Sequence, residues 1–121
     1  KSYPDLKVIV SPSSVGIVAA AQAVKDQGKI GKVYVTGLGL PSEMAGAIKS
    51  GASKSFAIWN PIDLGYAATY LADDLVKGTA TKTEASMGKL GKVKLDAEGN
   101  GAMAKPFVYD ANNIDKFSKI F

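Results

Sequence analysis

The chain has 121 residues and a formal net charge of +4, carried by 15 lysines with no arginine, no histidine and no cysteine. These absences exclude a thiol nucleophile, a zinc–thiolate site, a disulfide and a Ser-His-Asp triad within the chain, and they remove the bidentate guanidinium clamp for phosphate or carboxylate. Apolar residues (46%) and charged residues (21%) stand in the proportions of a soluble globular domain, one domain's worth of chain or part of a larger protein, with no window of about 18 apolar residues to cross a membrane.

In chain order, Leu6–Val10 reads as a buried strand. Ser11-Pro12-Ser13-Ser14 follows, then an Ala-rich helix over Val15–Gln27, with Ser13 or Ser14 as N-cap and Gly28 just past the end. Ile17, Ala20, Ala21 and Val24 recur at helical spacing and are expected to face a sheet. Lys32–Thr36 is a second strand and Gly37–Pro41 a turn. Ser42 is the expected cap of a short helix with Met44, Ala47 and Ile48 on one face and Gly51 at its end. Ser53–Trp59 is the third strand. It stops at Asn60-Pro61, where an N-cap Asn, Pro at the first helical position and Asp63 in the first turn start a helix running to Lys77 and Gly78. Leu64, Ala68, Leu71 and Leu75 form the expected buried stripe of that helix. Tyr66 and Tyr70 share another face, read as packing against something outside the chain. Beyond a polar stretch, Thr79–Gly88, the segments Lys89–Leu95 and Ala102–Val108 are expected to pair as a hairpin around Asp96–Gly101. Asp110 is the expected cap of a short terminal helix carrying Ile114, Phe117 and Ile120.

Three successive strand–turn–helix units argue for an α/β fold: a parallel sheet with flanking helices in three layers, followed by the C-terminal hairpin and helix. The division expected is residues 1–60 as the strand-and-helix body, 61–88 as helix and connector, and 89–121 as hairpin and terminal helix. In open α/β sheets ligands bind beyond the carboxyl ends of the strands. Three loops are expected there: Pro12-Ser13-Ser14, Gly37-Leu38-Gly39 and Trp59-Asn60. Ser13 and Ser14 offer hydroxyls and helix N-terminal amides, though capping alone accounts for either. Trp59 offers a flat apolar face and Asn60 a donor–acceptor pair, which suits a neutral polyhydroxylated ligand. Trp59 also fits a purely structural place in the core.

Other signals are weaker. Gly37-x-Gly39 is half of a dinucleotide-binding turn, but position 42 is Ser and no acid stands about 20 residues on. Glu43, Asp73, Asp74 and Glu84 make no pair of carboxylates at strand ends, so glycosidase chemistry is poorly supported. The lysines scatter singly, which reads as a solvated surface and not as a nucleic-acid footprint. No apolar core of a leader peptide follows the first residues, KSYPDLK.

The run Tyr3-Pro4-Asp5-Leu6-Lys7, then Ser11-Pro12, Thr36-Gly37-Leu38-Gly39, Phe56–Pro61 with Leu64-Gly65-Tyr66, and Asn112–Phe117 resembles the C-terminal part of periplasmic sugar-binding proteins of ABC importers. Within that group it is most similar to rhamnose-binding proteins, which are similar in turn to autoinducer-2-binding proteins. The resemblance implies a two-lobed type I periplasmic-binding fold that closes on its ligand by hinge motion, and a chain that is only part of the whole. It implies ligand contacts from Pro12, Ser13, Ser14, Leu38, Gly39, Trp59 and Asn60, with no catalytic residue, no metal and no cofactor. Ribose- and galactose-type relatives carry an Asp in the second loop. Gly39 stands in that place here, which points away from simple pentoses and hexoses towards a deoxy sugar or a small furanose-like signal.

The implied partners are a small-molecule sugar and a membrane permease, with no nucleic acid. The helix Pro61–Lys77 would pack on an N-terminal lobe outside this chain, so exposed apolar surface is expected, covered by that missing half or by self-association. The implied location is periplasmic or extracellular, lipid-anchored in a Gram-positive host. The alternatives are a sugar-sensing effector domain of a transcription regulator, which needs an upstream helix-turn-helix, an autoinducer-2 receptor, and a nucleotide-dependent enzyme with a Rossmann-like half.

Overall fold

A computed structural model describes residues 2–121. In chain order its elements are β1 (Val8–Ser11), α1 (Ser14–Asp26), β2 (Tyr34–Gly37), α2 (Pro41–Ser50), β3 (Ser55–Ile58), α3 (Pro61–Lys77), β4 (Glu84–Ser86), a 3-10 turn (Gly88–Leu90), β5 (Lys92–Lys94), β6 (Phe107–Asp110) and α4 (Ile114–Phe117). Contacts divide them into two units: the chain up to Ile58 together with Phe107–Phe121, and the intervening Trp59–Pro106.

The first unit is the expected mixed α/β body. β1 and β2 pair in parallel, with Val8 opposite Tyr34 and Ser11 opposite Gly37. A single parallel bridge, Leu38 to Ala57, ties the end of β2 to β3. The Val35 amide donates to the Ala52 carbonyl (2.9 Å), and the Thr36 hydroxyl to that of Ser55 (2.8 Å). β6 lies antiparallel on β3, from Ser55 opposite Asp110 to Ile58 opposite Phe107. Ile17, Ala21 and Val24 of α1 and Met44 and Ile48 of α2 meet Val35, Phe56, Tyr109 and Ile114 in one core. Phe56 and Tyr109 are cross-strand partners with stacked rings, 5.4 Å between centroids.

The second unit is built on α3. Its cap is as expected: the Asn60 side-chain oxygen accepts from the amides of Ile62 and Asp63, Pro61 opens the helix and Gly78 closes it. Ala67 is buried against Ala85, Met87 and Val93 of the β4–β5 hairpin, in which Glu84 opposes Lys94 and Ser86 opposes Lys92. Asp74 joins helix to hairpin: its carboxylate accepts the Thr79 hydroxyl and the Ser86 amide, at 2.7 Å for the amide.

The Thr79 hydroxyl first, and the Ser86 amide second, hold the Asp74 carboxyl below the usual carboxylate range. Asp96 is lowered likewise, chiefly by the Asn100 amide. A carboxylate whose folded value is depressed adds stability above its unfolded value, and that stability is lost as pH falls through the folded value. The second unit is therefore expected to loosen below about pH 4. In an acid titration followed by amide exchange at Ser86, Asp74→Asn should flatten the pH dependence of that amide.

Five expectations are corrected. Lys89–Leu95 and Ala102–Val108 do not pair with each other: Lys92–Lys94 pairs back onto Glu84–Ser86, and Phe107–Asp110 pairs with β3. The Asp96–Gly101 turn does form, with the Asp96 carboxylate accepting the amides of Glu98 (2.9 Å) and Asn100 (2.8 Å). On α3, Leu71 packs inward, but Leu64, Ala68 and Leu75 face out, with Leu64 52% and Leu75 69% exposed. Tyr66 and Tyr70 pack on the 3-10 turn of their own unit instead. The Tyr66 hydroxyl accepts the Lys89 amide (3.2 Å), the Lys89 ammonium sits 4.8 Å over the Tyr66 ring, and that amide is the main cause holding the Tyr66 hydroxyl below its usual range. Finally, Ser42 caps nothing, because Pro41 already occupies the first turn and Leu40 stands at the cap position. Asp110 likewise does not cap α4: its carboxylate closes a turn onto the Asn112 amide (2.8 Å), and Asn113 holds the cap position. The expected exposed apolar surface is present, on α3 and on β1, where Val8 and Val10 lie open.

Candidate functional site: loops at the strand ends

The loops after β1 and β2 are stitched together. Ser11 opposes Gly37, and the Ser11 carbonyl accepts the Leu38 amide at 2.9 Å. Gly37 has φ +136°, and a Cβ there would stand 1.9 Å from the Ser11 carbonyl oxygen, so only glycine lets the strands end this close together.

Pro12 and Ser13 are exposed and Ser14 half-buried. Ser13 is the N-cap of α1: its Oγ accepts the Gly16 amide (3.4 Å), and its own amide donates to the Ser11 Oγ (3.4 Å). Its hydroxyl proton is left to donate outward. The Ser14 hydroxyl and the first-turn amides of Ser14 and Val15 have no acceptor among the described residues, as helix geometry dictates for the amides.

The second loop turns inward. The Leu38 amide is used by Ser11, and the Gly39 amide donates to the Ala57 carbonyl at 3.3 Å. Gly39 is buried, and a Cβ there would lie 3.0 Å from both Ile17 Cγ2 and Met44 Cγ. Its side-chain direction is into the core. A side chain at position 39 on this backbone would start towards Ile17 and Met44.

Trp59 and Asn60 open the second unit. The indole Nε1–H donates to the Ala104 carbonyl at 2.7 Å while the residue stays 37% exposed. The Asn60 oxygen is spent on capping (2.9 Å to the Ile62 amide), and its NH2 group has no acceptor among the described residues. The Trp59–Ala104 bond spans 45 residues. Nothing in the local sequence marks Ala104, and the expected hairpin placed it in a strand.

A groove of about 160 Å³ between α1 and α2, lined by Ala21, Lys25, Glu43, Met44 and Ala47 among others, includes none of the loop residues. Lys25 in the last turn of α1 and Glu43 in the first turn of α2 each complement their own helix dipole. Among the described residues no group of three His, Cys, Asp or Glu side chains is placed to hold a metal.

Residues 1–80 match the periplasmic binding protein domain. The chain belongs to that family. Solved structures similar to this periplasmic binding protein domain include a sugar ABC transporter from Actinomyces odontolyticus (39% identity over 96% of this chain, TM-score 0.77). They also include an ABC transporter solute binding protein from Clostridium phytofermentas with bound L-rhamnose (37% identity over 99%, TM-score 0.83). LsrB from Clostridium saccharobutylicum, in complex with AI-2, shares the fold at 17% identity (96% of this chain, TM-score 0.78). The chain spans about two-fifths of the length of each, at 38%, 42% and 41% respectively. The α/β body with its strand-end loops is thus part of a type I periplasmic-binding fold.

Proposed function

We propose that this chain is part of the solute-binding component of an ABC importer, a binding protein and not an enzyme, and that its ligand is a neutral sugar of the L-rhamnose type. The observation that carries the reading is the likeness along 99% of the chain, at 37% identity, to a solute binding protein holding L-rhamnose. The chemistry of the loops supports it. Ser13 and Ser14 keep hydroxyl donors, Asn60 keeps an amide donor, and Trp59 presents ring surface, all without formal charge, as neutral hydroxyl groups require. Pro12, and Leu38 and Gly39 through backbone, complete the contacts we assign.

The partners are the sugar and a membrane permease. The apolar face of α3 (Leu64, Leu75, Val76) is covered by the rest of the importer's binding protein or by a second copy. The family points to a periplasmic or extracellular place, with a lipid anchor in a Gram-positive host. No nucleic acid, cofactor or metal enters the reading.

Titration calorimetry of the protein against L-rhamnose, autoinducer-2, ribose and galactose tests it. L-rhamnose alone is expected to bind, and Trp59→Ala is expected to weaken it about tenfold or more, since an aromatic contact contributes roughly 0.5–1.5 kcal/mol beyond its area. Heat from autoinducer-2 alone would move the protein to signal reception. No heat from any of the four would end the sugar assignment.

A further inference from the structure

The chain has four asparagines, at positions 60, 100, 112 and 113. An asparagine Cγ is open to attack by the backbone nitrogen of the next residue, provided that nitrogen carries a hydrogen and is not held elsewhere. Asn60 is followed by Pro61, which has no N–H. Asn112 is followed by Asn113, whose amide donates to the Asp110 carbonyl at 3.2 Å. The Asn113 side chain is held at both ends: it accepts from the Asp110 amide and donates to the Val108 carbonyl, each at 3.1 Å. Asn100 alone is followed by glycine, and both residues are exposed. The Gly101 amide has no acceptor among the described residues. The Asn100 side chain is held only by its NH2 group, at 3.4 Å from the Asp96 carboxylate, long for a hydrogen bond.

We propose that Asn100-Gly101 is a self-modification site, at which the turn after β5 converts its own asparagine to aspartate and isoaspartate. The Gly101 nitrogen bonds to the Asn100 Cγ. The Cγ–Nδ2 bond breaks, and the side-chain nitrogen leaves as ammonia, taking up the proton that the Gly101 amide gives up. Water then opens the cyclic imide at one of its two carbonyls. Opening at Cγ leaves aspartate. Opening at the backbone carbonyl leaves isoaspartate, in which the chain runs through the old side chain and gains a methylene. Either product sets a carboxylate beside that of Asp96, where an amide donor stood, and like charges this close repel. Isoaspartate does more. The Asn100 carbonyl, which accepts the Asp96 amide at 2.9 Å and closes the turn, becomes part of a free carboxylate. The added methylene also shifts Gly101, which has no room on its β5 side: a Cβ there would stand 2.5 Å from Val93 Cγ2 and 2.9 Å from the Lys94 carbonyl oxygen. The turn of the second unit therefore opens with age, with no enzyme and no ligand involved.

Peptide mapping by mass spectrometry, on the protein aged at neutral pH both folded and in urea, tests the site. In the folded protein the mass gain of an amide-to-acid conversion is expected at Asn100 and not at Asn112 or Asn113. In urea, which frees the Asn113 amide from Asp110, Asn112 should follow. An isoaspartyl-specific carboxyl methyltransferase should label the aged protein at position 100, and Asn100→Gln, whose longer side chain cyclises slowly, should stay unlabelled. In the separated isoaspartyl form, the Asp96 amide should exchange with solvent at least about tenfold faster than in the fresh protein. Asn100→Asp carries the charge without the methylene and should lie between the two. Conversion of Asn100 in urea but not in the folded protein would overturn the site, because the fold would then be what protects it. Conversion of Asn112 ahead of Asn100 in the folded protein would overturn the part given to the free Gly101 amide. Unchanged Asp96 exchange in the isoaspartyl form would overturn the opening of the turn.

Discussion

Tyr109→Ala is expected to lower stability by about 3–5 kcal/mol, the range for removing a large aromatic side chain from a packed core. The ring is 2% exposed and its centroid lies 5.4 Å from that of Phe56, 5.0 Å from Phe107, 5.2 Å from Phe117 and 6.3 Å from Phe121. It joins β3, β6 and α4 at once, so its loss opens the ladder that returns the chain to the first unit and the helix that follows. Against a total of about 5–15 kcal/mol for a domain, this is about a fifth of the stability or more. Urea unfolding read by circular dichroism gives the value. Tyr109→Phe keeps the ring and should sit close to the parent. If Tyr109→Ala moved the midpoint no further than Tyr109→Phe, the aromatic cluster would not be what holds β6 in place.

Gly37→Ala is the second large effect, about 2–5 kcal/mol, from a strained positive φ and an overpacked contact together. The added methyl would fall 1.9 Å from the Ser11 carbonyl oxygen, a backbone atom that cannot swing aside as a side chain does. Relief requires parting β1 from β2 at the Ser11–Gly37 pair, and with it the Ser11–Leu38 hydrogen bond. Because Pro12–Ser14 follow directly, on the proposed reading of these loops as ligand contacts the variant should lose L-rhamnose affinity even at temperatures where it is folded. Gly46→Ala is the control: it sits inside α2 with no atom within 4 Å of the added carbon, and should stabilise by about 0.5–1 kcal/mol. Equal behaviour of the two substitutions in thermal unfolding would refute the close approach at Gly37.

Where the chain's structure is decided locally, it was legible before the fold was known. Ser13, Asn60-Pro61, Gly28, Gly51 and Gly78 mark helix ends through their own side chains or their own backbone freedom, and α1 and α3 begin and stop within a residue of expectation. Where a partner lies far away, local signals misled. The Asp96–Gly101 turn is real, but a turn does not choose its strands; Val93 finds Ala85 and Tyr109 finds Phe56 across the sheet. The leucines of α3 keep helical spacing on a face that the described residues leave open, while Ala67, the smaller residue, admits the β4–β5 hairpin. In the candidate site, the loop positions followed from the order of elements. The direction of Gly39 and the hydrogen bond of Trp59 did not, because both depend on side chains and carbonyls from other elements.

The antiparallel pairing of β3 with β6 has a consequence for how the polypeptide is made. Its innermost pair, Ile58 opposite Phe107, closes a loop that contains all of Trp59–Pro106. The entropy of closing such a loop grows only slowly with length, but contacts this distant in sequence are slow to find one another. A ribosome releasing this chain therefore holds the β6 side of β3 unpaired until Phe107–Asp110 have emerged, and Phe107–Phe121 then complete that unit. The insertion shortens the search by folding on its own contacts: once α3 and the β4–β5 hairpin have packed and the Trp59–Ala104 bond has formed, its two ends are neighbours. The late-arriving strand then has only a short distance to travel.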